Sequence, residues 1–143
     1  MLYRLIIMSR IGKKLILIPQ DVEVEINNNL ILVKGKNGKL TKSFLDLVKF
    51  ERIENTISLS RCNEEKFTKS YHGLSRALLE NMIQGVNLKF QKTLIVEGVG
   101  YKFQTDKDKI ILNMGFTHPV EFEIPLDLNV KLESPVKITI EGI

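Results

Sequence analysis

An α+β chain of two tandem, similar domains is what this sequence predicts, and three observations predict it. Short strand-like alternations between Val22 and Ser60 give way to one helical stripe between Phe67 and Met82. From Thr93 to Ile140 the strand signals return, and no second helical stripe follows before Ile143. Two distant segments, 18–35 and 124–142, also read alike, each opening on Ile-Pro-x-Asp and ending in a strand closed by glycine. Together they describe a mainly antiparallel sheet packed on one helix, written twice, with the second copy lacking its helix.

Composition narrows the possibilities. The 143 residues are 43% hydrophobic and 27% charged, the balance of a globular chain. No apolar run approaches the roughly 20 residues of a membrane-spanning helix. The single cysteine, Cys62, reads as a structural thiol in a reducing compartment. A net charge of +4 leans towards an anionic partner without demanding one. Lysine, isoleucine and asparagine are frequent, and their AT-rich codons point to an AT-rich genome such as an organellar one.

Residues 1–7 read as an N-terminal extension, with Met8 as the true or ancestral start. Beyond it the basic cluster Arg10, Lys13 and Lys14 suits a mobile arm that reaches phosphates, or else a solvated end. The first domain, 8–87, then opens on Val22-Glu23-Val24-Glu25-Ile26, whose strict alternation puts apolar side chains on one sheet face. Asn27-Asn28-Asn29 is a turn cluster, and Leu30 to Val33 is apolar enough for a strand buried on both faces. Asn37-Gly38 supplies the positive-φ positions of a tight turn into Lys39 to Phe44, and Thr56 to Ser60 alternates again. The helical stripe is Phe67, Tyr71, Leu74, Leu78 and Met82. Asn63 caps its first turn, Glu64 and Glu65 suit its positive end, and Gly85 is the stop.

The second domain, 88–143, is read as strands at 93–96, 101–104, 110–114, 120–124, 128–132 and 136–140, with a polar hairpin tip at Thr105 to Asp108. If it repeats the first domain, its sheet has an apolar face without a helix to cover it. Such a face is unstable alone in water. A partner, the first half, or a separate segment is expected to cover it.

Catalytic chemistry is missing. His72 and His118 are far apart, no Cys-x-x-Cys or His-x-x-x-His spacing offers a zinc site, and Gly98-Val99-Gly100 lacks the third glycine and following helix of a dinucleotide loop. The chain reads as a non-enzyme with no cofactor and no metal. Three features resist a purely structural reading. His72 and Arg76 share one helix face around Gly73, where a glycine suits close approach by another backbone; they would touch a phosphate or a neighbouring segment, or else Arg76 pairs with Glu80. Gly98-Val99-Gly100-Tyr101-Lys102 breaks a strand and offers Tyr101 and Lys102 to stack on and pair with nucleic acid. Gly115-Phe116-Thr117-His118-Pro119 is a loop with an aromatic, a hydroxyl and an imidazole, or a simple connecting turn.

Taken together, these segments resemble a known family. Met8-Ser9-Arg10-Ile11-Gly12-Lys13-Lys14, Ile18-Pro19, Val33-Lys34-Gly35, His72-Gly73-Leu74-Ser75-Arg76-Ala77, Asn81-Met82, Gly85-Val86, Gly98 to Tyr101 and Asn113 to Val120 resemble, in order, the large-subunit ribosomal protein six family of bacteria and organelles. The resemblance implies two tandem α+β domains and no catalysis. It implies binding to large-subunit ribosomal RNA near the factor-binding centre and stalk base, with neighbouring ribosomal proteins as further partners. The RNA contacts it implies are Arg10, Lys13, Lys14, His72, Arg76, Tyr101, Lys102, Thr117 and His118. The family's helix, Arg-Pro-Pro-type segment and lysine-rich tail past the last strand have no counterpart here, nor has the family one for residues 1–7. The rival reading is a protein-interaction module without RNA binding. Residue usage favours a plastid ribosome over a bacterial or mitochondrial one.

Overall fold

A computed structural model describes residues 14–143, which fall into two units parting between Leu88 and Lys89. In the first, β1 (Ile16–Leu17), β6 (Thr56–Arg61) and β5 (Val48–Ile53) form one antiparallel sheet in the order β1-β6-β5. The strands β2 (Glu23–Asn27), β3 (Leu30–Gly35) and β4 (Gly38–Ser43) form a second, in chain order. Alternation sends Val24, Ile31, Val33, Ile57 and Leu59 inward. Asn28 takes the positive φ of 53° that the β2–β3 turn needs, and asparagine tolerates it. Leu30 is exposed beside buried Ile31, so β3 is buried on one face rather than both. The β3–β4 turn is Lys36-Asn37, with Gly35 paired to Gly38, one residue before the Asn37-Gly38 turn expected.

The single described helix, α1 (Lys66–Leu88), packs on these sheets with a face the apolar stripe did not forecast. Thr68, His72, Ser75, Arg76, Leu79, Met82, Ile83 and Val86 are buried, whereas Phe67 and Leu74 are exposed and Tyr71 is half-buried. The helix is therefore rotated from the expected phase. Two of its polar inner residues, His72 and Arg76, have long-range partners that hydropathy cannot register. The buried hydroxyls of Thr68 and Ser75 have no hydrogen-bond partner among the described residues. Asn63 Oδ1 accepts from the Glu65 amide at 3.1 Å, a turn just ahead of the helix rather than the expected cap on its first turn. The reason is that α1 begins at Lys66, and Glu65 O accepts its first hydrogen bond, from Lys69 N. Gly85 lies buried within the helix and does not stop it; Lys89, at φ 58°, follows the last turn in the left-handed conformation.

The second unit runs β7 (Phe90–Ile95), β8 (Lys102–Asp106), β9 (Lys109–Asn113), β10 (Val120–Glu123), β11 (Leu128–Ser134) and β12 (Lys137–Gly142). Its sheets are ordered β7-β12-β11 and β8-β9-β10, the same order as the first unit with every strand advanced by six. The loop hydrogen bonds repeat too. Ile18 N donates to Asn55 O at 2.8 Å, and Val96 N to Val136 O at 2.9 Å. Phe44 N donates to Asn29 O at 2.8 Å, and Ile124 N to Asp108 O at 2.7 Å. Two similar units are therefore present, but in a different frame from the sequence match. Segment 18–35 holds β2 and β3, while 124–142 holds β11 and β12, which correspond to β5 and β6. The two Ile-Pro-x-Asp hairpins look alike because both pair a proline turn with an alternating strand, not because they are equivalent positions.

In that frame β12 matches β6, the strand that α1 follows. No helix follows β12 among the described residues, and the inward face of the second unit is open in them. Among its described residues Phe103, Ile138 and Thr139 alone are buried. Leu94, Phe103, Leu112, Phe122, Leu128 and Ile138 line an apolar groove of about 290 Å³.

Candidate nucleic-acid interface

Two loops meet at the end of the β8–β9 hairpin. Residues 96–101 lead into β8, and 114–119 leave β9, so the pairing of Lys102 with Asn113 makes them neighbours. Tyr101 ties them together. Its amide donates to Gly98 O at 3.3 Å, and its ring lies over both Gly98 and Gly115. A Cβ on Gly98 would sit 2.9 Å from Tyr101 Cδ2, and one on Gly115 would sit 3.0 Å from Cε1. Both glycines also have positive φ, 143° and 77°. Their lack of a side chain is thus required twice over. Around this clamp Val99, Phe116, Thr117, His118 and Lys102 are exposed. The cluster can stack an aromatic on a base, set a lysine on a phosphate and offer hydroxyl and imidazole hydrogen bonds.

The first-domain residues divide differently. His72 is fully buried, and its Nε2 donates to Leu59 O at 3.1 Å. Arg76 is buried as well; Nη1 donates to Glu80 Oε2 at 2.8 Å and Nε to Lys14 O at 3.0 Å. Neither side chain is placed to touch RNA, because helix rotation turns both onto the core face. Of the alternatives read from the sequence, contact with a neighbouring segment and the Glu80 pair are the ones observed. Among the described residues nothing outside its own helix turn and chain neighbours lies within 4 Å of where a Gly73 side chain would begin, so no described segment packs closely on that glycine. Lys14 is exposed, its carbonyl fixed by Arg76. Arg10 and Lys13 lie outside the described residues.

Sequence reasoning missed the hold of the β3–β4 turn on the end of α1. Asn37 N donates to Val86 O at 3.1 Å and Asn37 Nδ2 to Asn87 O at 2.8 Å. Gly35 packs so tightly there that a Cβ would meet Val86 O at 2.7 Å. An Asn-Gly pair after a strand signals a turn, and nothing local says that the turn also caps a helix. Charged groups elsewhere pair with partners at or near the surface, and Arg61 is the buried member of its pair with Glu64. The Arg61 hydrogen bond, assisted by Lys69, holds the Glu64 carboxyl below the usual carboxylate range, and Lys137 does the same for Glu133. Among the described residues, no group of three or more His, Cys, Asp or Glu could hold a metal ion.

Comparison with known proteins decides the family. The ribosomal protein L6 family model matches residues 18–88, nearly the whole described part of the first unit. The large ribosomal subunit protein uL6 of Dictyoglomus thermophilum is 48% identical over 137 residues, 95% of this chain and 76% of its own length. The chain belongs to the ribosomal protein L6 family. Proteins of the same name from Staphylococcus carnosus and Clostridioides difficile are 42% and 44% identical, each over 95% of this chain and 76% of the relative. The matches run through both units, so the Tyr101 clamp and the open groove are parts of an L6-family chain. Membership makes this a structural protein and not an enzyme.

Proposed function

We propose that this L6-family chain is a structural constituent of the large ribosomal subunit that binds large-subunit ribosomal RNA near the factor-binding centre and stalk base, supporting translation. The binding surface is the paired loops carrying Tyr101, Lys102, Thr117 and His118, with Arg10, Lys13 and Lys14 as an additional basic arm. The observation that carries this reading is the Tyr101 clamp. It holds an exposed aromatic, a lysine and polar side chains on two loops at fixed separation, which suits a folded polynucleotide. A plastid ribosome is favoured by residue usage, whereas the relatives named above are bacterial. Sedimentation tests the assignment: the chain should travel with large subunits and leave them only as salt rises, because phosphate contacts weaken steeply with ionic strength. Recovery wholly in the ribosome-free fraction at low salt would overturn it.

The groove of the second unit supports a protein contact on the same molecule. Its lining strands β9 to β12 correspond to β3 to β6, which α1 covers in the first unit, so an amphipathic helix of α1's kind is the occupant that fits it. A Phe122→Cys variant in a Cys62→Ser background reads this out. Maleimide should label it rapidly in the free protein and slowly in the subunit, and equal rates would rule out a covered groove.

A further inference from the structure

Between Glu25 and Asp46 the sequence has no acidic residue and four lysines, Lys34, Lys36, Lys39 and Lys42, a local charge equal to the whole chain's net +4. The fold concentrates them on one hairpin. Lys34 and Lys39 face each other as a direct cross-strand pair, and Lys36 is on the turn between them. Like charges directly opposite across strands are destabilising. Relief is slight: Lys34 reaches Glu23 at 3.8 Å between two well-exposed side chains, and among the described residues Lys36, Lys39 and Lys42 form no ion pair. Thr41 and Ser43 are also exposed on β4.

Two structural explanations cover only part of this. Lysines on an edge strand discourage aggregation, which suits Lys39 and Lys42 on β4. Lys34, however, is on the central strand of its sheet, and Lys36 is on the turn. A helix C-terminus favours nearby positive charge only modestly at an exposed site, which does not call for four. The tip is also rigid. The two Asn37 hydrogen bonds and the close approach of Gly35 to Val86 fasten it to α1. Repelling charges held on a fixed hairpin are the arrangement of a preformed phosphate site.

We infer that the β3–β4 hairpin is a second RNA contact, in which Lys34, Lys36 and Lys39 engage the phosphate backbone of folded RNA. This rests on the RNA-binding reading above, and the test separates the two. Wild type, Lys36→Gln/Lys39→Gln and Lys102→Gln are titrated with protein-free large-subunit ribosomal RNA over a range of potassium chloride concentrations, with thermal unfolding followed in parallel. The hairpin variant should lose about 0.7 to 0.9 in log–log salt slope per phosphate contact removed. It should also bind at least several-fold more weakly at the lowest salt, with an unchanged or raised Tm because a repulsion is gone. If wild type and Lys102→Gln differ while the hairpin variant matches wild type in slope and affinity, the hairpin is not a contact although the RNA reading stands. If wild type does not bind at low salt, both fall. Should the double variant unfold, Lys36→Gln alone, on the turn and in no ion pair, gives the same readout.

Discussion

The ring of Tyr101 fills the space in which Gly115 would carry a side chain: a Cβ there would lie 3.0 Å from Cε1 and 3.1 Å from the phenol oxygen. The two loops that flank the β8–β9 hairpin, already neighbours through the pairing of Lys102 with Asn113, pack on each other through this ring. Gly115→Ala should therefore cost about 1 to 2 kcal/mol for the left-handed backbone alone, and should also displace the ring. Tyr101→Phe keeps the ring and should retain RNA affinity, whereas Tyr101→Ala should weaken it several-fold. RNA titration beside a urea melt of each variant separates loop placement from stability, and equal affinity for all three would sink the clamp.

His72 is a core residue with a directional partner. His72→Ala should destabilise by about 2 to 4 kcal/mol, from the cavity and from leaving Leu59 O without its donor. Gln can place an amide nitrogen near Nε2 and should recover part of that loss, while Leu should not. Equilibrium urea unfolding measures the series.

Asn37 should behave as a helix cap although it sits in a hairpin turn. Asn37→Ala frees the Asn87 carbonyl and should cost about 1 kcal/mol. Gly35→Ala forces a methyl onto Val86 O and should cost about 1 to 3 kcal/mol. Amide hydrogen exchange should rise first in the last turn of α1, and protection unchanged there would refute the capping role.

Glu64 gives a pH signature. Arg61 lowers its carboxyl pKa in the folded state, so its contribution is fully present above the ordinary carboxylate pKa and is lost as pH falls through the lowered one. Glu64→Gln should be less stable than wild type near neutrality, and the two should converge in acid. Melting curves across pH check the convergence.

Much of the fold was legible because strand alternation is a local signal. Val22 to Ile26 and Thr56 to Ser60 have it, and they fall on β2, from Glu23 onward, and on β6. β1 spans two residues and carries no period, while β5 places Arg52 after Val48 and Phe50, which hides its alternation. The phase of α1 was not legible, since Phe67 and Leu74 outrank Thr68, His72 and Ser75 in hydropathy yet lie outside. His72 and Arg76 are settled by Leu59 O, Lys14 O and Glu80, and two of those partners lie outside the helix, far away in sequence. The duplication was visible but misframed, because equivalent hairpins share topology more than residues. At the interface the glycine and aromatic motifs stood out, but that one ring serves both loops is a property of the fold.

Photo-cross-linking of the chain assembled in large subunits, with the modified peptides mapped by mass spectrometry, tests the proposed RNA surface most directly. Nucleotide adducts should fall on peptides containing residues 98–102 and 115–119. A chain that is present in the subunit yet carries its adducts elsewhere, with none on either loop, would contradict the account.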